Sequence, residues 1–178
     1  LIGVARAGNV IGGGDWSANR LIPDCVKSWS KNKKVLIRNP KSTRPWQHVL
    51  EAISGYLLLA LELRKNRKLH GEVFNFGPNN NKNYNVIFLV QLIKKYWKEV
   101  SWKVAKQGKK NFYESNLLKL NSNKAKKKLK WKCILSFDET IGMVADWYKN
   151  YYIKTKNMFE TSSNQIKKYE KFLNKRSI

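Results

Sequence analysis

The chain has 178 residues, 42% of them hydrophobic and 12% aromatic, enough for a real core and too apolar for an intrinsically disordered segment. Thirty-six Lys and Arg against 12 Asp and Glu give a net charge of +24, which raises the question of an anionic partner such as nucleic acid or anionic lipid. The lysines are scattered over many segments, so the charge reads as a solvated coat and nucleic acid is not the expected partner. No run reaches the roughly 18 apolar residues of a membrane span. Cys25 and Cys133, with no CxxC spacing, read as reduced, buried thiols of a cytoplasmic protein, not as a disulfide or metal pair.

Leu1 to Ala7 is an apolar run that predicts a strand covered on both faces. With no initiator Met or signal pattern before it, it reads as a strand already in progress, and the chain as a piece of a longer protein. Gly12 to Gly14 end the segment in a turn. Leu21 to Trp29 carries apolar residues at helical spacing, with Pro23 near the start. Val35 to Ile37 is a short strand, residues 40–44 a polar turn, and Trp46 to Leu50 extended or transitional. Leu50 to Leu63 predicts an apolar helix buried on most of its surface.

Glu72 to Phe76 predicts a strand ended by Gly77 and Pro78, and residues 79–85 a polar loop. Asn85 caps a helix from Val86 to Trp97, and Ser101 to Val104 alternates as a strand does. Ser122 is placed to cap a short basic helix, Asn123 to Leu129. Ser136 and Glu139 have capping-box spacing before a helix from Phe137 to Tyr148. Residues from 154 onward predict a polar tail, loose apart from a short amphipathic stretch near Ile166 to Leu173. Alternating strands and helices make the class α/β, whose ligands bind beyond the carboxyl ends of parallel strands. That directs attention to the residues after Ala7.

Those residues read Arg-Ala-Gly-Asn-Val-Ile-Gly-Gly-Gly-Asp-Trp from Arg6 to Trp16, followed by Arg20-Leu21-Ile22-Pro23-Asp24. Further on come Val35 to Pro40 and Arg44-Pro45-Trp46-Gln47-His48-Val49. In these segments the chain resembles the CDP-glucose 4,6-dehydratases of the extended short-chain dehydrogenase/reductase superfamily. The resemblance continues through Gly55 to Ala60, Phe74 to Pro78, Leu117 to Leu120, Ser122 to Ala125 and Trp147-Tyr148, and reaches Gln165-Ile166 and Tyr169-Glu170. It implies the C-terminal part of such an enzyme: the last strand or strands of the Rossmann sheet plus the smaller α/β substrate-binding domain. Residues 1–16 would end the Rossmann-type domain and 17–153 form the substrate-binding portion, with 154–178 as the tail.

The resemblance implies substrate contacts from Asn9, Arg20, Leu21, Val35, Ile37, Arg44, His48, Glu114 and Asn116. The residue chemistry agrees for several. The Asn9 amide both donates and accepts, as a phosphate oxygen or sugar hydroxyl requires. Backbone amides at a helix start near Arg20 and Leu21 favour anions. Val35 and Ile37 are two apart on a strand and share one face, an apolar wall for a flat base. The Arg44 guanidinium binds a diphosphate through two parallel hydrogen bonds, which Lys cannot reproduce. His48 is expected as a fixed hydrogen-bonding group near the pocket, not as a general base, and His70 as exposed and silent. Gly12 to Gly14 lack the GxGxxG and GK[ST] spacings; they either let backbone run close to a ligand or make the turn. Glu114 and Asn116 sit in a segment that closes over substrate in relatives, but Tyr113 replaces a common His, and no Arg occurs between Arg67 and Arg176.

By resemblance the parent enzyme uses bound NAD to oxidise CDP-glucose at C4, loses water across C5 and C6, and returns hydride to C6, giving CDP-4-keto-6-deoxyglucose. It is expected to be a homodimer or homotetramer. The cofactor fingerprint, the Tyr-x-x-x-Lys motif and the water-eliminating Thr-Asp-Lys-type segment of the family are absent here, so no catalytic residue is expected in this chain. Tyr152 and Lys156 share the Tyr-x-x-x-Lys spacing by chance. The expected partners are a CDP-sugar and a missing N-terminal Rossmann half. The alternatives are an epimerase or dehydratase acting on another nucleotide-sugar, and a basic module that binds polyanions.

Overall fold

The computed structural model describes residues 1–78, 83–105, 119–154 and 157–176. Its strands form three parallel pairs. Strand β1 (Val4–Ala7) lies beside β5 (Val73–Phe76), β2 (Asn9–Ile11) beside β4 (Trp46–His48), and β3 (Val35–Ile37) beside β6 (Trp102–Val104). A parallel pair needs a long crossover. Helix α1 (Leu21–Trp29) lies between β2 and β4 in the chain, α2 (Val49–Lys65) between β1 and β5, and α3 (Val86–Tyr96) between β3 and β6. Helices α4 (Asn123–Leu129), α5 (Phe137–Ile153) and α6 (Met158–Arg176) complete the chain.

The main core joins α1, α3 and α5. Ile22, Cys25, Val26 and Trp29 meet Leu89, Val90 and Ile93, and both meet Ile141, Val144 and Tyr148. A second cluster packs α2 and α4 on β5 through Leu59, Phe74, Phe76, Ala125, Leu129 and Trp131. Gly55 lets α2 approach closely: a Cβ there would lie 2.3 Å from the Phe76 ring.

Several expectations change. Strand β1 is not covered on both faces: Val4 is exposed, as are Leu1 and Ile2 ahead of it. Helix α2 buries only the face holding Glu51, Ala52, Gly55 and Leu59, while Ile53, Leu57 and Leu61 form an exposed stripe at i, i+4 and i+8. An apolar sequence all round a helix signals burial, but β1 and β5 cover one side only. Ser122 precedes α4 without a side-chain cap; Asn121 Oδ1 accepts the Asn123 amide instead, at 2.9 Å. His70 is exposed yet not silent, since its Nδ1 accepts the Ile2 amide at 3.0 Å.

The expected loose tail is largely the 19-residue helix α6. Its docking is polar as well as apolar. Gln165 Nε2 donates to the Met143 carbonyl at 2.7 Å, and Arg176 holds Glu139 with two guanidinium nitrogens at 3.0 and 2.8 Å. Tyr169 is buried against Leu135 and Met143 and donates to Glu51 Oε2 at 3.0 Å. Glu51 Oε1 in turn accepts the Ile134 and Leu135 amides at 2.8 and 2.6 Å. A lone carboxylate in a core is costly unless hydrogen bonds satisfy it, and these three donors offset part of that cost.

Candidate functional site

A cleft of about 1270 Å³ opens beyond the carboxyl ends of β1 and β3. Its walls are β2, the start of α1, the strand β3 with Arg38, and the turn carrying Ser42, Arg44 and Pro45. Tyr56 of α2 and Lys119 close the far side. The close approach of two loops shapes its floor, with Gly8 packed directly on Pro45.

Of the residues singled out from sequence, Asn9, Arg20, Leu21, Val35, Ile37 and Arg44 all line this one cleft. Arg20 is the backbone N-cap of α1 and has no side-chain capping bond. The next two residues, Leu21 and Ile22, therefore present first-turn N–H groups that the helix itself cannot satisfy, at a wall of the cleft and on the positive end of the helix dipole. The Asp24 amide bonds the Arg20 carbonyl at 3.0 Å. Arg44 is partly buried, and one guanidinium nitrogen donates to the Thr43 carbonyl at 2.8 Å, which braces the side chain against its own turn.

Asp15, which the sequence reading passed over, organises the entrance. Its carboxylate accepts the Ser17 amide at 3.0 Å and faces Arg20 at 3.7 Å. Burial pushes its carboxyl up, but the Ser17 hydrogen bonds and the Arg20 and Lys27 charges outweigh that and hold it below the usual range. Its backbone is held from behind: the Tyr148 hydroxyl accepts the Asp15 amide at 3.1 Å and donates to the Asp15 carbonyl at 2.8 Å.

The glycine run has a packing role. Gly12 lies against Val49, and a Cβ on Gly13 would fall 2.1 Å from the Trp147 indole. Trp147 is fixed by donating to Ser162 Oγ of α6 at 3.0 Å. The turn is thus covered by side chains, which leaves no open phosphate cradle there.

His48 stands off the cleft. It is fully buried at the N-cap of α2, with Nδ1 accepting the Leu50 amide at 3.3 Å. Burial lowers its pKa to about 4, so the imidazole is neutral, and its Nε2 has no partner among the described residues. Cys25 touches the cleft from α1 as a neutral thiol, pushed up to about 12 by burial first and by the Asp24 charge second. Glu114 and Asn116 lie outside the described residues. Among the described residues no group of His, Cys, Asp and Glu is arranged to hold a metal ion, and no helix is long and apolar enough to cross a membrane.

Comparison with known proteins agrees with the family resemblance. The chain is 41% identical over 165 residues to a CDP-glucose 4,6-dehydratase of Salmonella typhimurium, covering 92% of this chain and 45% of that protein. It therefore spans less than half the length of the curated relative it matches. No protein-family model matches. A UDP-glucuronic acid 4-epimerase from Bacillus cereus, solved with UDP-glucuronic acid and NAD, superposes at TM-score 0.68 with 20% identity, over 83% of this chain and 45% of its own. A UDP-glucose-4-epimerase from Stenotrophomonas maltophila with bound NAD and formylated UDP-arabinopyranose gives 0.71 at 14%, over 86% and 49%. The dTDP-glucose 4,6-dehydratase of Bacillus anthracis, in complex with NAD, gives 0.61 at 20%, over 83% and 44%. The fold is that of a C-terminal portion of such nucleotide-sugar enzymes, as the sequence reading expected.

Proposed function

We propose that this chain is the nucleotide-sugar-binding portion of a CDP-glucose 4,6-dehydratase. The observation that carries the reading is the convergence of Asn9, Arg20, Leu21, Val35, Ile37 and Arg44 on one cleft, in a chain 41% identical to an enzyme of that activity. Arg44 and the start of α1 would hold the diphosphate, one through a planar cation and the other through backbone N–H groups. Asn9, just past β1, would orient the sugar side, and Val35 and Ile37 would flank the pyrimidine. A grip of this kind serves catalysis by fixing the reacting sugar relative to groups outside this chain.

NAD is proposed for the complete enzyme because the solved neighbours carry it; when bound it supplies hydride acceptance and return. The residues present do not fit as its holder. The Gly12 to Gly14 turn is covered by Val49 and Trp147, and the sequence has no GxGxxG or Tyr-x-x-x-Lys element at a strand end. No redox or elimination step is therefore assigned to these residues. Glu114 and Asn116 remain proposed contacts of the closing segment, and His48 a supporting group behind the cleft.

The polyanion reading loses weight at its strongest patch. Lys124 and Lys128 of α4 both pair with Glu72, which leaves that helix less free to bind phosphates.

The test is a chimaera that joins the N-terminal portion of the Salmonella relative to this chain. The reading predicts turnover of CDP-glucose to the 4-keto-6-deoxy sugar, and none of UDP- or dTDP-glucose. Turnover of UDP- or dTDP-glucose in preference to CDP-glucose would assign the cleft to a different base.

A further inference from the structure

Helix α2 carries two apolar faces. One is buried on the β1–β5 pair, with Gly55 against the Phe76 ring and Leu59 and Leu63 beside Gly3. The other points away from them and holds Ile53, Tyr56, Leu57 and Leu61, between 39% and 62% exposed. At i, i+3, i+4 and i+8 these side chains are neighbours on the helix surface. No charged residue occurs from Ala52 to Leu61, in a chain with 36 Lys and Arg. Scattered exposed apolar residues are ordinary, but a contiguous row without charge marks a surface that something covers.

The strand beneath this helix has a free edge. Strand β1 pairs with β5 alone. The Val4 amide donates to the Glu72 carbonyl at 2.9 Å, so alternation turns the Ala5 and Ala7 backbone groups to the opposite edge, where no strand lies among the described residues. Parallel sheets are buried structures, and an open edge is a template for another strand. A second copy of this chain fits poorly. Twofold symmetry would set β1 antiparallel to itself, whereas all three strand pairs here are parallel. The chain spans 45% of its curated relative and 44–49% of the solved neighbours, which leaves the larger portion of such proteins as the source of a strand and a helix.

We infer that the outer face of α2 and the free edge of β1 form one docking surface for the N-terminal portion that such enzymes have and this chain lacks. That portion supplies a parallel strand beside β1 and an apolar helix against Ile53, Leu57 and Leu61. The surface reaches the cleft. Tyr56 belongs to the exposed face and also lines the cleft, its ring edge-on to Phe76 at 5.8 Å. Ala7, at the end of β1, lines it too. Docking therefore completes the ligand site as well as the core, because the added portion closes the cleft beside Tyr56 and Ala7. The identity of the occupant rests on the nucleotide-sugar reading given above; its place rests on the exposed face and the open edge.

The experiment places Leu57→Cys and Leu61→Cys, one at a time, in this chain and in the chimaera with the Salmonella N-terminal portion. Thiol labelling rates are read by peptide mass mapping, which separates the new thiol from Cys25 and Cys133. Each new thiol should label at least about tenfold more slowly in the chimaera, where opening must precede reaction. Phe159→Cys, at a position 80% exposed on α6, should label alike in both proteins. Buried Cys25 should stay unlabelled in both, which reports that each is folded. As a second measurement, Leu57→Asp combined with Leu61→Asp should leave the urea midpoint of the chain alone unchanged and lower that of the chimaera. Equal labelling of the new thiols in the two proteins overturns the inference. So does protection that is lost on dilution, which assigns the face to a second copy, and so does labelling of Cys25 in the chimaera, which shows that the portions do not dock. Protection without turnover of any nucleotide-sugar keeps the surface and removes the nucleotide-sugar reading; turnover with unprotected thiols does the reverse.

Discussion

Tyr148 holds Asp15 by both of its backbone groups, across 133 positions of sequence. The hydroxyl is fully committed, and the ring is buried among Trp16, Trp147 and the α1–α3–α5 core. Asp15 faces Arg20 at the cleft, at 3.7 Å, so the packing of α5 reaches the ligand site through this phenol.

Tyr148→Phe should therefore act at two levels. Loss of two hydrogen bonds to a part-buried backbone should lower stability by about 1–2 kcal/mol, read from urea unfolding. CDP affinity should fall by a further severalfold under conditions where the variant is fully folded. A stability loss with unchanged affinity would show that Asp15 keeps its place without the clamp.

Gly13→Ala should disturb Trp147, whose ring occupies the space a Cβ would take. Overpacking of this kind costs about 1–3 kcal/mol. The displaced indole would lose Ser162, so α6 should become more sensitive to protease. Gly71→Ala is the contrast: nothing lies within 4 Å, and only its φ of +78° opposes a side chain, at a cost of about 1 kcal/mol with α6 unaffected.

Glu139 links the start of α5 to the end of α6, accepting from Ser136 and Arg176. Its hydrogen bond with Arg176, ahead of those from Ser136, lowers its pKa from 4.5 to about 2. A depressed carboxylate stabilises the fold above its ordinary pKa and loses that contribution as pH falls from about 4.5 towards 2. Glu51 runs the other way: burial raises its pKa, so its share is present at low pH and is lost as pH rises through the raised value. Between pH 5 and 2.5 the unfolding midpoint of wild type should fall more steeply than that of Glu139→Gln. Parallel curves would mean that the Arg176 pair contributes nothing measurable.

Tyr169→Phe tests the docking of α6. It leaves Glu51 with its two backbone donors but removes the phenol, and should cost about 1–2 kcal/mol while amide exchange quickens in 158–176. Unchanged exchange there would shift the credit to the Leu135, Met143 and Phe172 contacts.

Much of this fold was legible because apolar spacing and local chemistry agreed. The bounds of α1, β3 and α4, the Asn85 cap of α3 and the Ser136–Glu139 capping box are written in adjacent residues. Strands β2 and β4 are three residues each and exist by pairing with one another, which no local pattern announces. Helix α6 was hidden because its apolar residues are sparse among lysines, and its partners Glu51, Met143 and Ser136–Glu139 come from elsewhere in the chain. The cleft was readable at Asn9, Arg20 and Arg44 through the family resemblance. Asp15 and Asp24 flank Arg20 in sequence, whereas Tyr56 and Lys119 join the cleft from distant segments that no local pattern connects to it.

The central claim is tested most directly by calorimetric titration of the folded chain with CDP at moderate salt, with and without Arg44→Ala. The account predicts saturable binding that Arg44→Ala weakens by at least about tenfold, the loss expected when a bidentate charged contact is removed. No binding by the folded chain, or equal affinity in the variant, would contradict it.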